Sequence, residues 1–194
     1  GVRYDKIFGD MEKDETWDKL EEYLDLELYF ASGSGLLIAC TCIDTGGHYT
    51  TECYKWLKKM EAKNKMIYGI KGMGGPGIPL IHKVSKNNEY KVKIFILGVD
   101  SGKEILMTRL KIEEKGPGYC HFPLNPELGF NETYIKGLNS EQRVVELKDG
   151  RPVIKWKKKA GTRNEPLDLR NYSTAAAEII RPNFKNLKKK VKAG

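Results

Sequence analysis

A chain of 194 residues with 40% apolar and 31% charged side chains can bury one substantial core, which excludes a globally disordered protein and argues against two separate domains. Its formal charge of +8 is unevenly spread: residues 10–27 are acidic and the last third is rich in lysine, which suits a polyanionic partner on one face. No apolar run reaches the ~20 residues that span a bilayer, and Asp5, Asp10 and Glu12 interrupt any signal-peptide pattern, so the expectation is a soluble intracellular protein with no membrane role.

Residues 2–8 read as a short strand. Asp14 or Thr16 is expected to cap a helix running to about Phe30, with Trp17, Leu20, Leu24 and Leu28 at helical spacing. After a Ser/Gly loop, residues 36–44 form an apolar run that reads as a buried strand ending at Asp44. A helix over about 50–62 places Cys53, Trp56, Leu57 and Met60 on one face, and residues 66–70 read as another strand. The glycines and prolines of 71–79 predict a loop, either a mobile cover over a groove or a plain connector. Residues 90–98 form an apolar strand, and Asp100 is placed to cap a helix over about 101–112. Residues 119–122 offer a short strand, and 127–138 read as partly helical. Alternation over 142–147 and 152–158, joined by Lys148-Asp-Gly150, predicts a β-hairpin. A last helix over 166–180 stops before Pro182. Helices alternate with strands and an antiparallel hairpin follows, which implies an α/β fold with a mixed sheet.

The chemistry concentrates on carboxylates. Asp44 leads directly into Thr45-Gly-Gly-His48, and a carboxylate at the C-terminal end of a central strand lies at the crevice where open α/β sheets bind ligands and metals. Asp168 opens the Ala-rich final helix, with Glu165 three residues earlier on the same face. Paired carboxylates suit the hard ions Mg2+ and Mn2+ in two-metal phosphodiester hydrolysis. A lone acid in a first helical turn is equally a dipole-favoured cap, so this chemistry rests on an Asp44–Asp168 pairing that spacing leaves open. Asp100, at a strand end, is a further ligand candidate beside its reading as a cap. His48 lies four residues beyond Asp44, close enough either to touch a substrate or to cap the next helix. Gly98-Val-Asp-Ser-Gly-Lys103 fails the Walker pattern, having three residues between its glycines and Glu104 after the lysine. Cys40, Cys42, Cys53 and Cys120 lack zinc-type spacing and read as core thiols of a reducing compartment.

The ordered set Ile43-Asp-Thr-Gly-Gly-His48, Ile70-Lys-Gly72, Gly98-Val-Asp-Ser-Gly-Lys103, Gly116-Pro-Gly-Tyr119 and His121-Phe-Pro123 resembles the nuclease domain of the tailed-phage terminase large subunit of the lambda-like type. Gly150-Arg-Pro152, Trp156, Arg163-Asn-Glu-Pro-Leu-Asp168 and Tyr172 continue the pattern, which covers residues 1–181 and leaves 182–194 as a basic tail. The resemblance implies a ribonuclease H-like fold and a metal-dependent endonuclease that cuts concatemeric double-stranded DNA during genome packaging. Asp44 would be the second acid of the metal site and Asp168 the third, with Mg2+ or Mn2+ as cofactor. The family's first metal-binding aspartate would lie on an opening strand ahead of Gly1, so that this chain starts near the domain's third strand. On that resemblance the chain is expected to be a fragment, a trimmed piece of the domain or a decayed prophage remnant. Partners implied for the intact system are the terminase small subunit and the portal, in the cytoplasm of the bacterial host.

Lys155, Lys157, Lys158, Lys159 and Arg163 are expected to contact the DNA backbone without reading sequence, with His48 beside them. The rival expectation is a catalytically inactive module that binds DNA or a packaging partner. A third is a structural domain whose lysines scatter over the surface.

Overall fold

The computed structural model describes residues 1–29, 33 and 35–183. Its centre is a four-stranded sheet of order β3-β4-β6-β5, in which β3 (Thr41–Asp44), β4 (Ile67–Met73) and β6 (Lys93–Gly98) run parallel and β5 (Ile81–Lys86) is antiparallel to β6. One face is covered by α1 (Asp14–Leu24) and α2 (Thr50–Ala62), whose Trp17 and Trp56 rings meet 5.4 Å apart over Leu57, Met60, Ile67 and Ile94. The other face carries Ile70, Phe95 and Leu97 against Ala175 of α5 (Glu165–Ile180). Beside α5 pack α3 (Val99–Leu110) and α4 (Glu132–Leu138), joined by Leu106, Tyr134, Leu138 and Leu167. β7 (Glu141–Lys148) and β8 (Arg151–Lys158) pair only with each other, and β1 (Leu28–Tyr29) with β2 (Gly35–Leu36) likewise. The mixed α/β sheet flanked by helices, with a C-terminal hairpin and helix, is the architecture expected.

Several local expectations give way to tertiary context. Residues 2–8 form no strand, because no neighbouring strand supplies a ladder; Tyr4 N–H donates instead to the Leu128 carbonyl at 3.0 Å. The first helix stops at Leu24, and Leu28 joins the β1–β2 pair opposite Leu36. Its N-cap position is Lys13, and Thr16 spends its hydroxyl on the Asp10 carbonyl. The apolar run before Asp44 is not buried throughout: Leu36, Leu37 and Ile38 are exposed, since β3 begins only at Thr41 and Leu36 belongs to the separate β1–β2 pair.

β4 extends through Met73 into the stretch expected to be loop, held by β6 as far as Gly98. β5 was not expected: its one-sided pattern of mostly exposed residues lacks the alternation that marks a strand. Residues 119–122 stay irregular, and the 127–138 region divides into a 3-10 turn (Pro126–Leu128) and α4 at Gly129. Of the four cysteines only Cys53 is in the core; Cys40, Cys42 and Cys120 are half-buried thiols. Of the basic tail, residues 184–194 lie outside the described residues, including Lys185, Lys188, Lys189, Lys190 and Lys192.

Candidate active site

Because β3, β4 and β6 are parallel, their C-terminal ends bring Asp44, Met73 and Gly98 to one rim of the sheet. Asp44 is held there by its successor. Thr45 is buried and both its backbone N–H and its hydroxyl donate to the Ile70 carbonyl, at 3.0 and 2.9 Å, locking the end of β3 onto β4. Gly46 N–H then donates to Asp44 Oδ1 at 2.8 Å, fixing the exposed carboxylate's direction. From the other side, Tyr172 donates its phenolic O–H to Asp44 Oδ2 at 3.1 Å.

Tyr172 lies one helical turn after Asp168 on α5, so the tyrosine that bonds Asp44 stands on the same helix face as the acid 124 positions further along the chain. Burial raises the Asp168 carboxyl from its ordinary value to about 6. Lys103 pulls it back down, while Glu141, Asp44 and Glu165 push it further up. Burial also raises the Tyr172 phenol, and the charges of Asp44, Asp168 and Glu141 add to that shift. The two predicted acids are thus brought within electrostatic reach of each other.

Three further residues organise Asp168. Lys103, buried on α3, pairs with buried Glu141 at 2.7 Å. Glu141 Oε1 accepts from Asn164 Nδ2 at 3.0 Å, and the same amide nitrogen donates to Asp168 Oδ2 at 2.9 Å. α3 and α5 approach closely because Gly102 has no side chain: a Cβ there would sit 1.8 Å from Asn171 Oδ1. Asn171 Nδ2 meanwhile donates to the Val99 carbonyl at 3.0 Å. Sequence reasoning missed Lys103 and Glu141. The one available signal was that Lys103 shares a helical face with Leu106, an unusual place for a lysine.

Other candidates stand apart. Asp100 does not cap α3, whose N-cap position is Gly98; its carboxylate accepts from Gly75 N–H at 2.8 Å and tethers the Gly-rich loop to the same rim. Glu165 is exposed and lies 3.7 Å from Arg163. His48 is exposed and does not cap α2, where Tyr49 is the N-cap residue and no side chain bonds to the helix start. Lys155 and Lys157 both engage Glu146, which pushes that carboxyl down to about 2, whereas Lys158 and Lys159 are exposed beyond them.

Carboxylate oxygens, one pair on a half-buried side chain, suit a hard divalent ion chemically. Among the described residues no group of three or more His, Cys, Asp or Glu side chains is arranged around one ion position.

The family described as "Terminase large subunit gpA, endonuclease domain" matches residues 1–190. The terminase large subunit of Escherichia phage lambda is 32% identical over 177 residues, covering 89% of this chain and 27% of its own length. That of Enterobacteria phage P21 is 28% identical over 178 residues, with the same coverage of 89% and 27%. The chain therefore spans about a quarter of the length of these relatives. No solved structure matches it significantly. With a family match over nearly all its length, the chain belongs to the endonuclease-domain family of the terminase large subunit gpA.

Proposed function

We propose that this chain is a metal-dependent endonuclease domain of ribonuclease H-like architecture that cuts concatemeric double-stranded DNA when a phage genome is packaged. The observation that carries the reading is that Asp44, at the C-terminal rim of the parallel strands and bonded by Tyr172, lies within electrostatic reach of the half-buried Asp168 on α5. Asp44 and Asp168 would hold Mg2+ or Mn2+, with Asp100 and Glu165 outside the first contacts. Such ions supply Lewis acidity for phosphodiester hydrolysis when bound. Asn164 orients Asp168 by its hydrogen bond, and Lys103 balances the local negative charge while holding Glu141 in place.

A cleft of about 730 Å³ separates residues 1–7 from Cys40, Thr41 and Cys42 on the outer edge of β3. An edge strand beside an apolar cleft supports a sheet that is completed by strands outside this chain, which would bring the remaining acid. Lys158, Lys159, Arg163 and His48 lie exposed and would meet the DNA backbone, with Lys155 and Lys157 adding to the field around them. The domain would work in the host cytoplasm beside a small subunit and a portal; no described helix is long and apolar enough to cross a membrane.

The second reading, an inactive module that binds DNA or a packaging partner, is favoured by the absence of a three-ligand group among the described residues. Plasmid nicking in Mn2+ separates the two. Chelator-sensitive nicking that disappears in Asp168→Ala establishes the nuclease. No nicking, with salt-sensitive DNA binding intact, establishes the binding module.

A further inference from the structure

One stripe of α5 carries a donor, an acid and a donor in successive turns: Asn164 at the N-cap position, Asp168 and Tyr172. The amide of Asn164 donates to Asp168 Oδ2 at 2.9 Å, and the hydroxyl of Tyr172 donates to Asp44 Oδ2 at 3.1 Å. One helix therefore supplies a hydrogen bond to each of the two acids, one on itself and one on β3. Gly46 N–H holds the other oxygen of Asp44 at 2.8 Å, so both oxygens of this exposed carboxylate are engaged. A carboxylate has roughly four acceptor sites, so these two bonds leave room for a cation.

Tyr172 is held firmly enough to act as a strut. Its half-buried ring packs against the cluster of Ile70, Leu97 and Ala175. The helix behind it is seated on α3 by Asn171, fully buried, whose amide donates to the Val99 carbonyl at 3.0 Å. A tyrosine has few rotatable side-chain angles, so ordering it costs little entropy. Asp44, by contrast, stands exposed at a strand end, where its hydrogen bonds set its rotamer.

We infer that Tyr172 is a positioning residue for Asp44: through its hydroxyl, the helix that bears Asp168 sets the direction of the carboxylate on β3. The inference rests on the part of the endonuclease reading in which Asp44 and Asp168 hold the ion, and adds the residue that aligns one acid to the other. Carboxylates that ligate a metal depend on the groups that hydrogen-bond them, and loss of such a group lowers metal affinity about 10–100-fold. With Gly46 alone, Asp44 keeps one fixed oxygen and its carboxylate turns about that point. Tyr172→Phe removes the donor while keeping the ring and its packing. The rival is a hydroxyl that merely finds an acceptor at the edge of the cluster, which predicts no effect on ion binding.

The test titrates the whole chain with Mn2+ alone, following the free-ion signal by electron paramagnetic resonance, with thermal melts in chelator run in parallel. The wild type is expected to bind Mn2+ and Asp44→Asn to lose it. Tyr172→Phe should bind about tenfold more weakly with an unchanged melt. Tyr68→Phe, packed against the same cluster, should bind as the wild type does. In plasmid nicking, Tyr172→Phe should need about tenfold more Mn2+ for its half-maximal rate and regain the wild-type rate at saturation, a rescue closed to Asp44→Asn. Wild-type affinity in Tyr172→Phe overturns the inference and leaves the endonuclease reading standing. A weaker affinity that comes with a lower melt overturns it equally, because packing was lost. Binding that survives Asp44→Asn, or a wild type that takes up no Mn2+, removes the ion from Asp44 and takes both readings with it.

Discussion

Leu97 of β6 and Leu147 of β7 are both strand leucines, yet Leu97 is fully buried and Leu147 is 77% exposed. β6 has strands on both sides and helices on both faces, so its side chains enter the core whichever way they point. β7 pairs only with β8. A two-stranded ribbon has no second layer of its own to cover it. Strand formation is thus a local outcome, and burial is a property of what packs next to the strand.

The seam between these regions is the Lys103–Glu141 pair, and breaking it should have the largest effect. Lys103→Met leaves the Glu141 carboxylate buried without its cation, at an expected loss of about 3–5 kcal/mol in urea unfolding. Adding Glu141→Leu should recover most of that loss; a double variant no more stable than Lys103→Met alone would show that the pair does not join ribbon to body. Next, Leu97→Ala should cost about 3 kcal/mol, against less than about 0.5 kcal/mol for Leu147→Ala. Comparable losses at the two leucines in thermal melts would mean that the ribbon is covered in solution.

The smallest effect concerns Asp168. Its folded-state pKa of about 6 lies above the ordinary value of 3.8, so folding disfavours ionisation there. The stability associated with the raised pKa is complete below about pH 4 and is lost as pH rises through about 6. Asp168→Asn, which cannot ionise, should therefore gain up to about 2 kcal/mol over the wild type at pH 8 in chelator, and nothing at pH 4. Equal stability differences at both pH values would show that the carboxyl is not strained by burial.

Much of this was legible in the chain itself. α2 runs over Thr50–Ala62 as the spacing of Cys53, Trp56, Leu57 and Met60 predicts, and the Asp-Gly turn predicts the β7–β8 hairpin. Both are governed by local periodicity and turn chemistry, which short sequence windows contain. Asp44 and Asp168 also stood out, from a strand end followed by glycines and from an acid opening a helix, and the fold brings them within electrostatic reach of each other.

Tertiary structure alone decided the rest. It brought Tyr172 of the Asp168 helix onto Asp44, gave Asp100 to the Gly75 amide instead of the acid pair, and buried Lys103 against a glutamate 38 positions away. Residues 2–8 have strand-like composition but no ladder partner, so they stay unpaired. The physical reason is common to all of these. Periodicity and turn propensity act over a few residues, whereas desolvation, ion pairing and strand pairing depend on which distant groups the completed fold brings within a few ångströms.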